Sequence, residues 1–524
     1  MEVGIALDEA STESFKFILK PEAYGEIEIG DIVKIKINKK DAYAIVTKII
    51  TKQDIIRNKS YDFVEYISDK LKIGEKSVIA IAQFLGILEN GKIKAVNSPP
   101  LPGTKVILPD KEEVKLLYRI DRPSIKIGHL KGKLSEIEPD IDLKEIVIKH
   151  LAVFGMTGSG KSHTIAALLK EIEKVGIPII IFDIHRDYIP TFKNPLILVF
   201  DKEESKIVKE IYYNSGQSGE PEVRVIKLKP KDVDFEIFAE TLGINPNMIK
   251  LYFLLKKIYE NKIEFIKQIE ELLNDYKFIS KMEKYFQDRK DLEATKIRLE
   301  TRLERIKDWK IFPKNAKDIG EISIKDIFEF EENLIECEGE IIGNAANNII
   351  IVDLYPLSLE EQRIVIDIFL KKIFEIWKKK KISGEILPII IVIEEAHRFC
   401  SKDTRLAKMI STIAREGRKF GIGLWIVSQI PSKIVEEVIS QINTFIFLRI
   451  VNPKDLRFIK ESNPYVTQEY LESLTSLDKG EALIVGIGVK KPVILKVKSE
   501  GIKIGGSEYE IEKKINKLYE EAQS

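Results

Sequence analysis

Eight consecutive residues, Gly155-Met156-Thr157-Gly158-Ser159-Gly160-Lys161-Ser162, have the types and spacing needed to hold a polyphosphate. Glycines let successive backbone N–H groups turn toward one point. Lys161 would then reach the β- and γ-phosphates, and the Ser162 hydroxyl would bind a magnesium ion. The flanks agree with that chemistry. An apolar run, Ile146 to Phe154, precedes the loop, and a helical pattern, Thr164 to Ile172, follows it. A helix start adds its own N–H groups and dipole to the attraction for an anion. The predicted ligand is a nucleoside triphosphate, ATP with Mg2+, held by Gly155 to Ser162 with His163 alongside.

Hydrolysis needs carboxylates beside the phosphates. The run Ile389-Ile390-Ile391-Val392-Ile393 ends in Glu394-Glu395-Ala396-His397, a buried strand delivering an acidic pair to the carboxyl edge of a sheet. Glu394 is assigned to the magnesium water shell and Glu395 to the attacking water. A helix-start acidic pair capping a dipole is the bland alternative. Asp183 ends another apolar run and either assists the metal or caps a turn. Ala414 to Gly421 carries Arg415, Arg418 and Lys419. Phosphoryl transfer needs positive charge, often from a neighbouring subunit's arginine, and Arg415 and Arg418 suit that task. Gln429, after the next strand, suits sensing of the γ-phosphate or of its attacking water. The five histidines (His129, His150, His163, His185, His397) show no metal-ligand spacing.

These residues need a sheet to bring them to one edge. Short β-type runs with turn punctuation, such as Asp31 to Ile37 and Ala42 to Thr47, predict a small barrel at the N-terminus. Strand–helix alternation begins near Lys144, with apolar strands at Ile177 to Phe182, Asn348 to Leu354, Leu387 to Ile393, Phe420 to Ser428 and Asn443 to Ile450. A last β segment is expected at Glu481 to Lys498. That pattern is an open, mostly parallel α/β sheet. Between Lys231 and Gly339 it gives way to long Lys/Glu-rich helices, with Leu292, Leu299, Leu303, Ile306 and Trp309 on one face. The expected organisation is a barrel over 1–115, a first core part over 116–230, a helical insertion over 231–340, a second core part over 341–500, and a tail over 501–524 read as helical.

Composition sets outer bounds. At 524 residues the chain has room for several domains, and Lys+Arg 84 against Asp+Glu 83 announces no polyanionic partner by total charge. Cys337 and Cys400 cannot form a disulfide framework. No signal peptide and no membrane-length apolar run is read, so the expected location is cytoplasmic, without membrane attachment. The excess of Ile, Lys and Glu leans toward a thermophile.

The strand His150-Leu151-Ala152-Val153-Phe154 with its loop, Asp183 to Tyr188, Glu394 to His397, Ala414 to Gly421, Ser428-Gln429 and Gly480 to Gly486 occur in this order across nearly the whole chain. In this they resemble the HerA-type ATPases of the HerA–FtsK group. The resemblance implies a RecA-like P-loop core with a small N-terminal barrel, a homo-hexameric ring around double-stranded DNA, and work with a NurA-like nuclease on DNA ends. It implies ATP-driven helicase or translocase activity in double-strand-break repair. A packaging or conjugation motor of the same group and an ATP-gated clamp regulating a nuclease are the alternatives. Two departures stand out: Lys149 where the family often has Arg, and Asp183-Ile184-His185-Arg186 where it has an Asp-Pro-His-Gly type of segment. Lys149 keeps a charge without arginine's bidentate fork.

Overall fold

The computed structural model describes residues 1–52, 77–89, 92–131, 134–264, 266–313, 348–384, 387–401, 404–505 and 519. Cys337 and nearly all of the charged tail lie outside the described residues. The fold is α/β: mostly parallel core strands with a small N-terminal barrel and a run of helices. The chain forms two compact units, Met1–Ile172 with Trp425–Ile502, and Glu173–Leu424 with Lys503–Ser524.

In the first unit the period-two runs close on themselves. Glu2–Ala10, Ser14–Leu19, Ile32–Ile37, Lys40–Lys52, Ser77–Glu89 and Lys105–Ile107 form an antiparallel ring, because Ser14–Leu19 pairs with both Glu2–Ala10 and Ser77–Glu89. Alternate residues fill the inside: Val3, Phe15, Phe17, Val33, Ile35 and Val106 pack around the small Ala42, Ala44, Ala80 and Ala82. Asn38 and Lys39 both take positive φ, the two-residue turn that a right-twisted hairpin requires. A three-residue strand, Lys92–Lys94, is appended to the rim of the ring.

The rest of this unit is a second run of sheet strands with helices between them. Leu151–Phe154 lies between Ile422–Ser428 and Thr444–Phe447, parallel to both. Antiparallel strands Glu481–Gly486, Val493–Val497 and Gly128–Leu130 extend it. The single β segment expected at Glu481 to Lys498 is therefore two strands. Gly486 (φ +105) and the residues up to Pro492 turn the chain between them.

The second unit carries five parallel strands in the order Glu222–Val225, Leu196–Val199, Ile349–Asp353, Ile179–Asp183, Ile389–Ile393. The last three are buried along their whole length, as an isoleucine run covered on both faces requires. Leu359–Ser383 covers part of the sheet. It starts at a Ser358/Glu361 capping box and stops at left-handed Gly384. The helices expected to be long are short: Phe235–Thr241, Ile249–Tyr259, Ile266–Asn274, Tyr276–Glu283 and Arg289–Leu303. Asp234, Asp275 and Asp288 cap new starts with their carboxylates, which divides one amphipathic stretch into several helices. Leu292, Leu299, Leu303 and Ile306 are buried on one side as expected, but the helix ends at Leu303 and a 3-10 turn carries Ile306.

The turn leaving Ile179–Asp183 is held by an ion-pair cluster. Arg186 donates from Nε and Nη2 to Asp353 at 3.1 and 2.7 Å, and from Nη2 to Glu204 at 2.6 Å. Lys310 closes on the other Glu204 oxygen at 2.7 Å. Arg186 sits at φ +62, a conformation costing an L-residue about 1–2 kcal/mol relative to glycine. The ion pairs offset that strain, which explains how an arginine occupies a place that suits glycine. Arg186→Ala should destabilise the protein by about 3–5 kcal/mol, because it leaves the buried Asp353 carboxylate uncompensated. Arg186→Gly should lose about 1 kcal/mol less, since the strain goes too. Denaturant unfolding of the variants measures both; a loss below about 1 kcal/mol for alanine would show that the cluster does not hold the turn.

Candidate active site

The phosphate loop belongs to the first unit. Parallel register brings the ends of three strands together, with Phe154 beside Ser428 and Phe447. Backbone bonds then fix the loop: Met156 N–H donates to the Arg449 carbonyl at 2.9 Å, Gly480 N–H to the Ser159 carbonyl at 3.0 Å, and Thr164 N–H to the Gly160 carbonyl at 2.9 Å. Gly158 and Gly160 have φ of +74 and +105. A Cβ on Gly155 would lie 2.6 Å from Ser159 Oγ and 2.8 Å from Leu448 Cβ, so that position demands glycine for space. Lys161 is buried and its Nζ donates to the Met156 carbonyl at 3.2 Å. Ser159 Oγ donates to the same carbonyl at 2.7 Å. The lysine thus folds over its own loop, a cation held where a phosphate would attract it.

Gln429 joins this group. The Thr157 hydroxyl donates to its Oε1 at 2.6 Å, so the residue expected to sense a γ-phosphate touches the loop. His163 pairs through Nε2 with the Lys498 carbonyl at 2.9 Å, tying the helix Lys161–Glu173 to the end of the unit's sheet. Lys149 pairs with Glu145 at 2.6 Å within its own helical turn.

The acidic group belongs to the second unit. Glu394 and Glu395 follow Ile389–Ile393 and are both buried. Tyr188 O–H donates to Glu394 Oε1 at 3.3 Å, whereas Glu394 Oε2 has no hydrogen-bond partner among the described residues. Burial, then the nearby Asp183, Asp187 and Glu395, push the Glu394 carboxyl well above the usual carboxylate range. Glu395 has φ +45, a left-handed conformation for a bulky residue, and its Oε2 lies 3.1 Å from His397 Nδ1. Strain of this kind persists only where the surroundings enforce it and concentrates at functional sites.

Asp183 is a turn carboxylate in this structure. Its oxygens accept from the backbone N–H groups of His185, Asp187 and Tyr188 at 3.1, 3.2 and 3.0 Å. Burial chiefly, with Asp187 and Asp353, raises its carboxyl to about 7 despite those bonds. Arg415, near the end of the helix Arg405–Glu416, and Arg418, in the following 3-10 turn, are exposed and make no ion pair among the described residues. No role was read from the sequence for Asp353, for Tyr188 at the end of its matching segment, or for Arg186 beyond its departure from the family pattern. Asp353 ends an isoleucine run as Asp183 does, a signal that was available; nothing local marks Tyr188.

The donor sets fit the expected nucleotide and metal. The loop offers turned N–H groups, a lysine and the half-buried Ser162 hydroxyl. Glu394 offers a buried carboxylate oxygen without a partner, which a divalent cation would satisfy.

A family model described as the central domain of the helicase HerA matches residues 125–373. The DNA double-strand break repair helicase HerA of Sulfurisphaera tokodaii is 29% identical, over 99% of this chain and 98% of that one. A probable helicase of Methanocaldococcus jannaschii is 27% identical, over 97% of this chain and 92% of its own. Among solved structures, the plasmid coupling protein TrwB with ADP and Mg2+ is 13% identical, with a TM-score of 0.49 over 75% of this chain and 95% of that one.

The raised Asp183 and Glu394 carboxyls predict a pH dependence in the nucleotide-free protein. The folded chain holds protons that the unfolded chain releases near pH 4. Each group's contribution is therefore present below about pH 4 and lost as pH rises through the folded value, about 7 for Asp183. Glu394→Gln removes one such group, so its melting temperature should gain on the wild type as pH rises from about 5 to 8. Parallel melting curves across that range would refute the assignment.

Proposed function

We propose that this chain, similar to HerA helicases over nearly its whole length, is an ATP-driven translocase and helicase acting on double-stranded DNA. It works as a homo-hexameric ring in the processing of DNA double-strand breaks, together with a NurA-type nuclease. The observation that carries the reading is the formed phosphate loop, with left-handed Gly158 and Gly160 and with Lys161 folded over it. Ser162 and, through a water shell, Glu394 would hold a Mg2+ ion, which would neutralise charge on the phosphates of ATP. The Lys161 ammonium would add its charge to the same phosphate oxygens. Glu395, fixed by its backbone and by His397, orients and deprotonates the attacking water. Gln429 reads the γ-phosphate from beside Thr157. Arg415 and Arg418 are exposed cations suited to completing a neighbouring subunit's site. No helix among the described residues is long and apolar enough to cross a membrane.

Lys161→Ala should lose ATP binding, whereas Glu395→Gln should bind ATP and turn over about two to four orders of magnitude more slowly. Arg418→Ala or Arg415→Ala should bind ATP and hydrolyse it about three to five orders of magnitude more slowly if that arginine acts in trans. Rings mixed from Glu395→Gln and the arginine variant should recover part of the activity, because some interfaces then pair an intact arginine with an intact glutamate. Mixed rings that stay dead at every ratio would exclude shared sites, and near-normal hydrolysis by Glu395→Gln would remove it as the base.

DNA held by phosphate contacts alone should be released by salt. If about six phosphates are neutralised, affinity should fall about 10³-fold between 50 and 200 mM salt, equally for unrelated duplex sequences. Fluorescence anisotropy with two duplexes tests this; a flat salt response would argue against binding through phosphates.

A further inference from the structure

Gln429 does not hold its place at the phosphate loop unaided. The strand Ile422–Ser428 ends there, and the next residues form a tight turn: Ile430 N–H donates to Ser428 Oγ at 3.1 Å, and Pro431–Lys433 is a 3-10 turn. Within that turn, Ser432 N–H donates to Asp455 Oδ1 at 3.2 Å. Asp455 lies in the first turn of the helix Pro453–Ser462, which Asn452 already caps by accepting from Lys454 N–H. An acidic residue there usually faces water and complements the helix dipole. Asp455 is instead 3% exposed and bonded outside its own helix. The chain leading into this end of the helix is fastened to the loop as well. Arg449, three residues before Asn452, accepts from Met156 N–H with its carbonyl.

We propose that Asp455 is a positioning residue for the γ-phosphate sensor: by holding the Ser432 N–H it sets Gln429 against Thr157 and makes the helix Pro453–Ser462 follow that contact. The helix faces the barrel across a cavity of about 850 Å3, with Leu456, Arg457 and Lys460 on one wall and Thr47, Lys48 and Ile49 on the other. Beside the cavity, Lys48 pairs with Glu472 at 2.7 Å and Thr467 O–H donates to Gln83 at 2.6 Å, so the barrel is fastened to the neighbouring helix, Gln468–Leu474. A change at Gln429 on phosphate binding or release therefore arrives at the barrel-facing wall through one buried carboxylate. The inference rests on the reading of the protein as an ATPase and adds a residue that never touches nucleotide.

The test uses the full-length protein and three variants at position 455. Asp455→Asn keeps an acceptor oxygen and should retain near wild-type turnover. Asp455→Ala should bind a non-hydrolysable ATP analogue within about twofold of wild type, yet lose about 10- to 100-fold in kcat, the scale of a small misplacement remote from the chemistry. Amide hydrogen exchange supplies the readout that a general loss of stability would not give. In Asp455→Ala, faster exchange should be confined to residues 429–434, and the analogue-induced protection of residues 453–462 seen in the wild type should disappear. Should Asp455→Ala fail to assemble, Asp455→Glu, which keeps the charge and displaces the acceptor, is read in the same way. Unchanged kcat in the alanine variant would overturn the proposal, as would exchange raised throughout the unit or analogue-induced protection that persists. A wild-type protein that binds no ATP would instead overturn the ATPase reading itself.

Discussion

A carboxylate taken out of water must be neutralised, paired or given a cation, and the second unit is organised around that constraint. Its parallel strands end in Asp183, Asp353 and the Glu394-Glu395 pair, all buried. Each has a different solution. Asp353 is paired with Arg186. Asp183 is surrounded by backbone N–H groups and still favours its proton. Glu394 has one oxygen under the Tyr188 hydroxyl and the other without a partner. Glu394 alone of these three lacks both a countercharge and a full set of donors among the described residues.

Much of this was legible in the sequence for a simple reason. A phosphate loop needs glycine at fixed backbone angles and a lysine at a fixed offset, so its chemistry is written in adjacent residues. The isoleucine runs were equally plain, since strands covered on both faces cannot tolerate polar residues. What escaped depends on partners far apart in the chain. Arg186 meets Asp353 across 167 positions, and Tyr188 meets Glu394 across 206. Neither pairing follows from composition or period. The turn at Arg186 was visible only as a departure from a glycine pattern, and its meaning became clear from its φ. The helical stretch was misjudged in length because Asp234, Asp275 and Asp288 read equally well as surface charges and as caps.

The first unit shows the converse arrangement, in which charge is satisfied locally. Lys161 rests on the carbonyl of Met156, Ser159 shares that acceptor, and Thr157 meets Gln429. These bonds shape the loop from its own residues and from Gln429. The two units thus differ in how charge is met: polar groups satisfied locally in one, buried acids in the other.

The barrel's closure carries a consequence for behaviour outside the catalytic cycle. Sheets with open edges invite pairing with other chains, above all when heat loosens them. Here the six main strands leave no open edge among the described residues, and the strand added at the rim is only Lys92-Ile93-Lys94. Two lysines on so short a ribbon repel a second copy before backbone pairing can propagate. A concentrated solution of this protein warmed and cooled again has, in this domain, few places from which cross-β growth could begin.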